Sequence, residues 1–191
     1  PTLLPDGAAI ARPLALAVLE RSRALPPPRL AALRSAGWSA TVPEGVERTP
    51  GDDAFAWVSF EAETARTAAE ARQALARRPP GTLGAFLAPF LWDLDQEGYT
   101  DRALGNVLLL AGRIDDALPA LRRGAAACDV LHGPIEQMRA HVQLGAALEK
   151  AHDTPGACAA YRYVVDRWPS PRPRGLSVQT ARQRVATIGC R

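Results

Sequence analysis

The sequence predicts an all-α protein of stacked antiparallel helical hairpins, and three observations predict it. Small and large apolar residues recur in the same order forty positions apart. Leu104-Gly105 is echoed by Leu144-Gly145, Leu108 by Leu148, Ala117 by Ala157 and Leu121 by Tyr161. Composition favours helix, because much of the 47% apolar content is Ala and the cations are Arg apart from Lys150. Those residue types lose little entropy in a helix. Beyond Tyr99, apolar residues return at helical spacing between clear start and stop signals.

The first fifty residues are Pro-rich and irregular. A helix is expected over Ile10–Leu25, with Leu14, Ala17 and Val18 at helical spacing. The Pro26-Pro27-Pro28 run should end it, since proline removes a donor and disfavours helix just before it. A short helix over Arg29–Ala36 follows, and Trp38–Gly51 reads as a loop with the turn signals "VPEG" and "TPGD". Asp52 and Asp53 can cap a helix through Phe55, Trp57, Val58 and Phe60. "FAWVSF" also alternates as a strand would, and helix is the preferred reading. Thr67-x-x-Glu70 is a capping box that opens a helix to Arg78, stopped by Pro79-Pro80. "GTLGAFLAPFLWDLDQEG" is either a helix interrupted at Pro89 or a packed loop.

Four cleaner helices come next: Thr100–Ala111, Ile114–Ala127, Ile135–Ala151, and one capped by Thr154 that ends near Trp168-Pro169. Pro134 and Pro155 suit helix starts, where a missing N–H loses nothing. "SPRPR" is an extended link, and Ser177 caps a last helix over Val178–Ile188.

A tetratricopeptide hairpin places Leu-Gly, a large residue three later, a helix-ending Gly, then Ala and a Leu or aromatic. Leu104, Gly105, Leu108, Gly112, Ala117 and Leu121 fit that order, as do Leu144, Gly145, Leu148, Ala157 and Tyr161. The offset leaves about six extra residues over the usual unit, most simply in "CDVLHGP". His152 stands where the turn glycine is expected. The predicted fold is therefore a tetratricopeptide-like α-solenoid in three parts. Residues 1–98 form a divergent region that packs as a degenerate repeat, 99–169 form two hairpins, and 170–191 form a linker and capping helix.

The formal charge is +3 over 191 residues, but from Ala160 onward seven arginines face one acid, Asp166. A solvated face is the plainer account, and an acidic partner or anionic membrane surface the sharper one. Nucleic acid is excluded as a partner, because no aromatic is interleaved among the last arginines and no recognition motif occurs. No apolar run is long enough to span a bilayer, and Arg12 and Pro13 break the stretch Ala8–Leu19. The chain begins with Pro1, which is read as the start of a piece of a longer polypeptide.

The segments "LLLAGRIDDALPALRRGAAACDVL", "RAHVQLGAALEKAHDTPGACAAYRYVVDRW" and "PRPRGLSVQTARQRVATIGC" resemble the C-terminal repeat region of large bacterial eukaryote-like serine/threonine protein kinases. The resemblance covers residues 99–191, and more loosely 52–98. It implies an accessory role beside a kinase domain, often with a membrane segment between. No Gly-rich loop with a lysine strand, no "HRD" and no "DFG" occurs here, so no catalytic residue is carried over.

Chemistry-bearing residues are few. His132, His141 and His152 are not spaced to share a helical face as metal ligands do, and His141 falls at an inward position. No metal site, cofactor or catalytic set is expected. Cys128, Cys158 and Cys190 form no C-x-x-C motif. If the last helix runs antiparallel to its predecessor, Cys190 returns to Cys158 and leaves Cys128 over. Such a bridge closes a loop worth roughly 3 kcal/mol and points to the extracytoplasmic portion of a membrane-anchored protein. Buried free thiols would point to the cytoplasm. Asp52-Asp53, Asp93/Asp95 and Asp115-Asp116 lie near helix starts or turns, where capping explains them. Trp38, Trp57, Trp92 and Trp168 read as packing residues.

Two functions remain. In the first, the hairpins form a groove for a protein or peptide, a kinase domain in the same polypeptide being one candidate. Asp101, Asn106, Leu109, Arg139, Gln143 and Ala146 fall near that groove. Asn106 stands at the usual place of a polar clamp, and Ala146 replaces it in the second hairpin. In the second, the first hundred residues hold an enzyme or sensor pocket walled by Trp57, Phe86 and Trp92.

Overall fold

A computed structural model describes residues 16, 26–37, 53–54, 56–81, 96–127, 134–168 and 175–190. The described residues are helical, with no strand among them. The expected Ile10–Leu25 helix, apart from Leu16, and the loop at 38–51 lie outside them. So do the segment 82–95, the insertion at 128–133 and the link at 169–174.

Proline tolerates the first helical turn, where its absent N–H has no partner to lose. Helix α1, Pro27–Ser35, therefore begins inside the proline run rather than at Arg29. The chain at Trp57–Ala62 is helical, but as a π-helix, with Glu63 N–H reaching back five residues to the Val58 carbonyl at 3.1 Å. Trp57 is 2% exposed, and its indole N–H donates to the Ala74 carbonyl at 2.6 Å. That bond ties the π-helix to α2, Ala68–Ala76. The capping box opens α2: Thr67 Oγ1 accepts from Glu70 N–H, and Glu70 Oε2 accepts from Thr67 N–H. The helix stops at Arg77, one residue before the expected end.

Helix α3, Gln96–Leu110, starts four residues before Thr100. Gly98 is buried inside the helix. Helix α4 is Ile114–Ala126, with Asp115 and Asp116 in its first turn, where the dipole favours them. Helix α5 is Pro134–Lys150. Helix α6 is Thr154–Arg167, and its cap is Asp153 rather than Thr154. Asp153 Oδ1 accepts from Gly156 N–H at 2.9 Å. A Cβ on Gly156 would lie 2.3 Å from Asp153 Oδ2, so the glycine admits the carboxylate. Helix α7 is Leu176–Thr187, with Gly175 at its cap and Ser177 already inside it.

Each helix from α2 onward packs on its successor. The π-helix also meets α3, α3 meets α5, and α5 meets α7. The echoed residues lie opposite one another. A Cβ on Gly105 would come within 2.5 Å of Leu121, and one on Gly145 within 2.6 Å of the Tyr161 ring. Glycine on one helix thus receives the large side chain of the next. Ala117 and Ala157 are fully buried beside these contacts.

One turn recurs three times. After α3, Arg113 N–H reaches the Leu108 carbonyl and Gly112 takes φ +83°. After α5, Asp153 N–H reaches Leu148 and His152 takes φ +61°. After α7, Cys190 N–H reaches Val185 and Gly189 takes φ +68°. Left-handed backbone at the helix end satisfies carbonyls that the helix leaves open. His152 holds the glycine conformation at some cost in strain.

Among the described residues, the core lies in three clusters along the stack. Trp57, Val58, Ala62, Ala71 and Ala74 meet Ala103 and Val107 of α3. Leu108, Leu109, Ala117, Leu121 and Ala147 fill the middle. Met138, Leu148, Tyr161, Val164 and Val178 fill the far end.

Candidate functional site

Alternate helices touch, so α3, α5 and α7 bring three faces side by side. Of the candidate groove residues on these helices, Asn106, Gln143 and Ala146 are half-buried and Arg139 is exposed. Gln143 Oε1 is buried without a hydrogen-bond partner among the described residues. Arg139 donates to Glu136 at 2.8 Å, one turn back. Ala146 packs against the middle cluster. Leu109 is 8% exposed and belongs to that cluster, so it is a core residue rather than a groove residue. Asp101 is turned to α4, where the Arg123 guanidinium holds both its oxygens at 2.7 and 2.8 Å.

Beside this face lies a buried ion cluster that spacing did not reveal. The Arg102 side chain is 2% exposed, and its Nη2 meets both Glu63, past the π-helix, and Glu136 of α5, the latter at 2.7 Å. Its guanidinium also stands over the Tyr99 ring at 5.3 Å. One cation thus ties three successive layers. Burial raises the Glu63 pKa, Arg102 opposes that rise, and the Glu136 charge adds to it. Burial, with the Glu63 charge behind it, pushes the Tyr99 hydroxyl up to about 12. Gly124 lets α4 approach, since a Cβ there would lie 2.9 Å from the Arg102 backbone nitrogen. The sequence did carry a signal: Arg102 falls among the inward residues of α3.

A second network closes the far end. Glu149 Oε1 accepts from the Tyr161 hydroxyl at 2.6 Å and from Arg184 Nε at 2.9 Å, and Glu149 Oε2 meets Arg184 Nη2. The Arg184 hydrogen bond lowers the Glu149 pKa, against burial. Burial and the Glu149 carboxylate raise that of Tyr161. Cys158 and Cys190 are joined by a disulfide, which brings the start of α6 to the turn after α7. Cys128 lies outside the described residues.

His141 stacks on Tyr163 with ring centroids 3.7 Å apart. The Arg167 guanidinium stands 4.9 Å from the Tyr163 centroid. Burial lowers the His141 pKa to about 4, and nearby Arg167 adds to the fall. The Ala125 carbonyl opposes it without closing a hydrogen bond of ordinary geometry to either ring nitrogen. His152 is in its turn, and His132 lies outside the described residues. Among the described residues, no group of three His, Cys, Asp or Glu could hold a metal ion. Nor is any helix there long and apolar enough to cross a membrane.

In the N-terminal part, a cleft of about 500 Å³ lies between the π-helix and the end of α2. Asp53, Trp57, Phe60, Arg77, Arg78 and Pro80 are among its walls. Phe86 and Trp92, the other expected walls of a pocket, lie outside the described residues. Trp168 is 39% exposed at the end of α6 rather than packed in the core, because the helix stops there and no later helix covers it among the described residues. No family model, curated protein or solved structure matches the chain.

Proposed function

We propose that the chain is a protein–protein interaction module, a tetratricopeptide-like α-solenoid that holds a protein or peptide on the face shared by α3, α5 and α7. The observation that carries this reading is the alternate-helix contact, which sets the faces of α3, α5 and α7 in one row. Asn106, Arg139 and Gln143 supply polar groups there, Gln143 with a buried oxygen that has no partner among the described residues. Buried polar groups are normally satisfied, so this oxygen favours an incoming donor. Following the resemblance, the module serves as an accessory or sensor region of a bacterial serine/threonine kinase signalling system. The Cys158–Cys190 bridge is chemistry of an oxidising compartment, and it favours the extracytoplasmic side.

A displayed random-peptide library panned on the purified chain tests the reading. Selected peptides should lose roughly tenfold or more in affinity with Gln143→Ala or Arg139→Glu, and keep it with Arg122→Glu on the exposed side of α4. Binders indifferent to the α3/α5/α7 face would sink it.

The cleft beside Trp57 supports a second reading, a small-molecule sensor. A ligand screen by thermal shift, repeated on Phe60→Ala, separates the two.

A further inference from the structure

Helix α7 is held less by packing than any other part of the last cluster. Val178 and Ala181 are its buried residues. Gln179, Thr180, Arg182 and Gln183 are exposed on its outer side. A helix of twelve residues is marginal alone in water. Its polar anchor, Arg184, is 38% exposed on Glu149, and exposed pairs stabilise little. Val185 and Ile188 add only partly buried contacts, and the covalent link is the strongest restraint on the cap, joining residues 32 apart across the α6–α7 boundary. Both cysteines are half-buried, neither sealed in the core, so an attacking thiolate has access.

We infer that Cys158–Cys190 is a redox latch on the end of the stack. Oxidised, it keeps α7 docked as a cap. Reduced, it lets α7 leave while α3 to α6 stay folded. The reductant is a dithiol. Its first thiolate attacks one sulfur of the bridge, forms a mixed disulfide and expels the other cysteine, which takes a proton. Its second thiol then displaces the remaining cysteine. Two electrons and two protons pass to Cys158 and Cys190, and the dithiol becomes a disulfide. Departure of α7 uncovers Leu148, Tyr161 and Val164, which it now packs against. Helix α7 also borders the α3/α5/α7 face, so the latch is read from exchange protection of the cap, a measurement that does not depend on peptide binding.

Hydrogen exchange read by mass spectrometry on the whole chain, with and without dithiothreitol, tests the latch. Amides of 176–187 should lose protection by roughly tenfold or more on reduction, while those of α3 to α6 keep theirs. Binding of an apolar dye should rise together with that loss. The double variant Cys158→Ser, Cys190→Ser should match the reduced protein without any reductant. Unchanged protection of α7 in both reduced protein and variant would overturn the latch. Equal loss across α3 to α6 would overturn it too, because the bridge would then hold the whole fold.

Discussion

The two hairpins, α3–α4 and α5–α6, share one plan and differ at the contact where their helices cross. In the first, Gly105 receives Leu121; in the second, Gly145 receives Tyr161. Leucine fills its seat and ends there. Tyrosine fills the same seat with its ring and carries a hydroxyl past it to Glu149, which also holds Arg184 of α7. A repeat position thus becomes the anchor of the next helix by gaining one polar atom. The departure from the repeat, more than the repeat itself, shows what each layer must attach to.

The comparison breaks hardest at the glycines. Gly145→Ala should destabilise by about 3 kcal/mol, and Gly105→Ala by about 1 to 2 kcal/mol. A leucine can change rotamer, whereas the Tyr161 ring is fixed by its hydrogen bond. Chemical denaturation of both variants checks the order, and equal losses would refute the argument from ring rigidity.

Acid should separate the hairpins next. The folded pKa of His141 lies below its ordinary value, at about 4. Its contribution is therefore complete above pH 6.5 and is lost as pH falls toward 4. Glu149 is lowered as well, so its share is lost only in stronger acid. Glu63 is raised, so proton uptake there favours the folded state as pH falls. His141→Phe should flatten the midpoint-against-pH curve between 6.5 and 4. A curve unchanged by that variant would remove His141 from the account.

Tyr161→Phe converts the second hairpin toward the first. It should cost about 1 kcal/mol, the worth of one hydrogen bond, and lower exchange protection in α7 more than in α3. The smallest effect belongs to the turns. His152→Gly should stabilise by about 0.5 to 1 kcal/mol, because glycine takes φ +61° without strain. Gly112→Ala should do the opposite.

The hairpins were legible in the sequence because a close helix crossing demands glycine on one side and bulk on the other. That demand acts at fixed short separations, sixteen residues in both hairpins. Of the Arg102 cluster, only the inward position of Arg102 on α3 was legible. Its partners are far away in the chain, and an isolated arginine or glutamate reads as surface. The cap of α6 was ambiguous for a local reason: Asp153 and Thr154 are both good caps, and only the backbone turn decides between them. Three prolines in a row stop one helix and can start the next, so the start of α1 was misjudged. The residues expected at the groove fall on different faces. Asp101 lies five residues before Asn106 and turns to Arg123 of α4, and Leu109 lies three after it in the middle cluster; a helix wheel alone does not say which neighbour covers them.

The disulfide also decides how the molecule carries load. A pull on residue 190 passes through the bridge into Cys158 and on into α6. Helix α7 lies outside that path and feels no tension. The residues between the two cysteines, about 110 Å of chain if fully extended, are withheld from any stretch. Tethered by its two ends, the oxidised protein is the shorter spring, and it lengthens by that amount only once the bridge is cut.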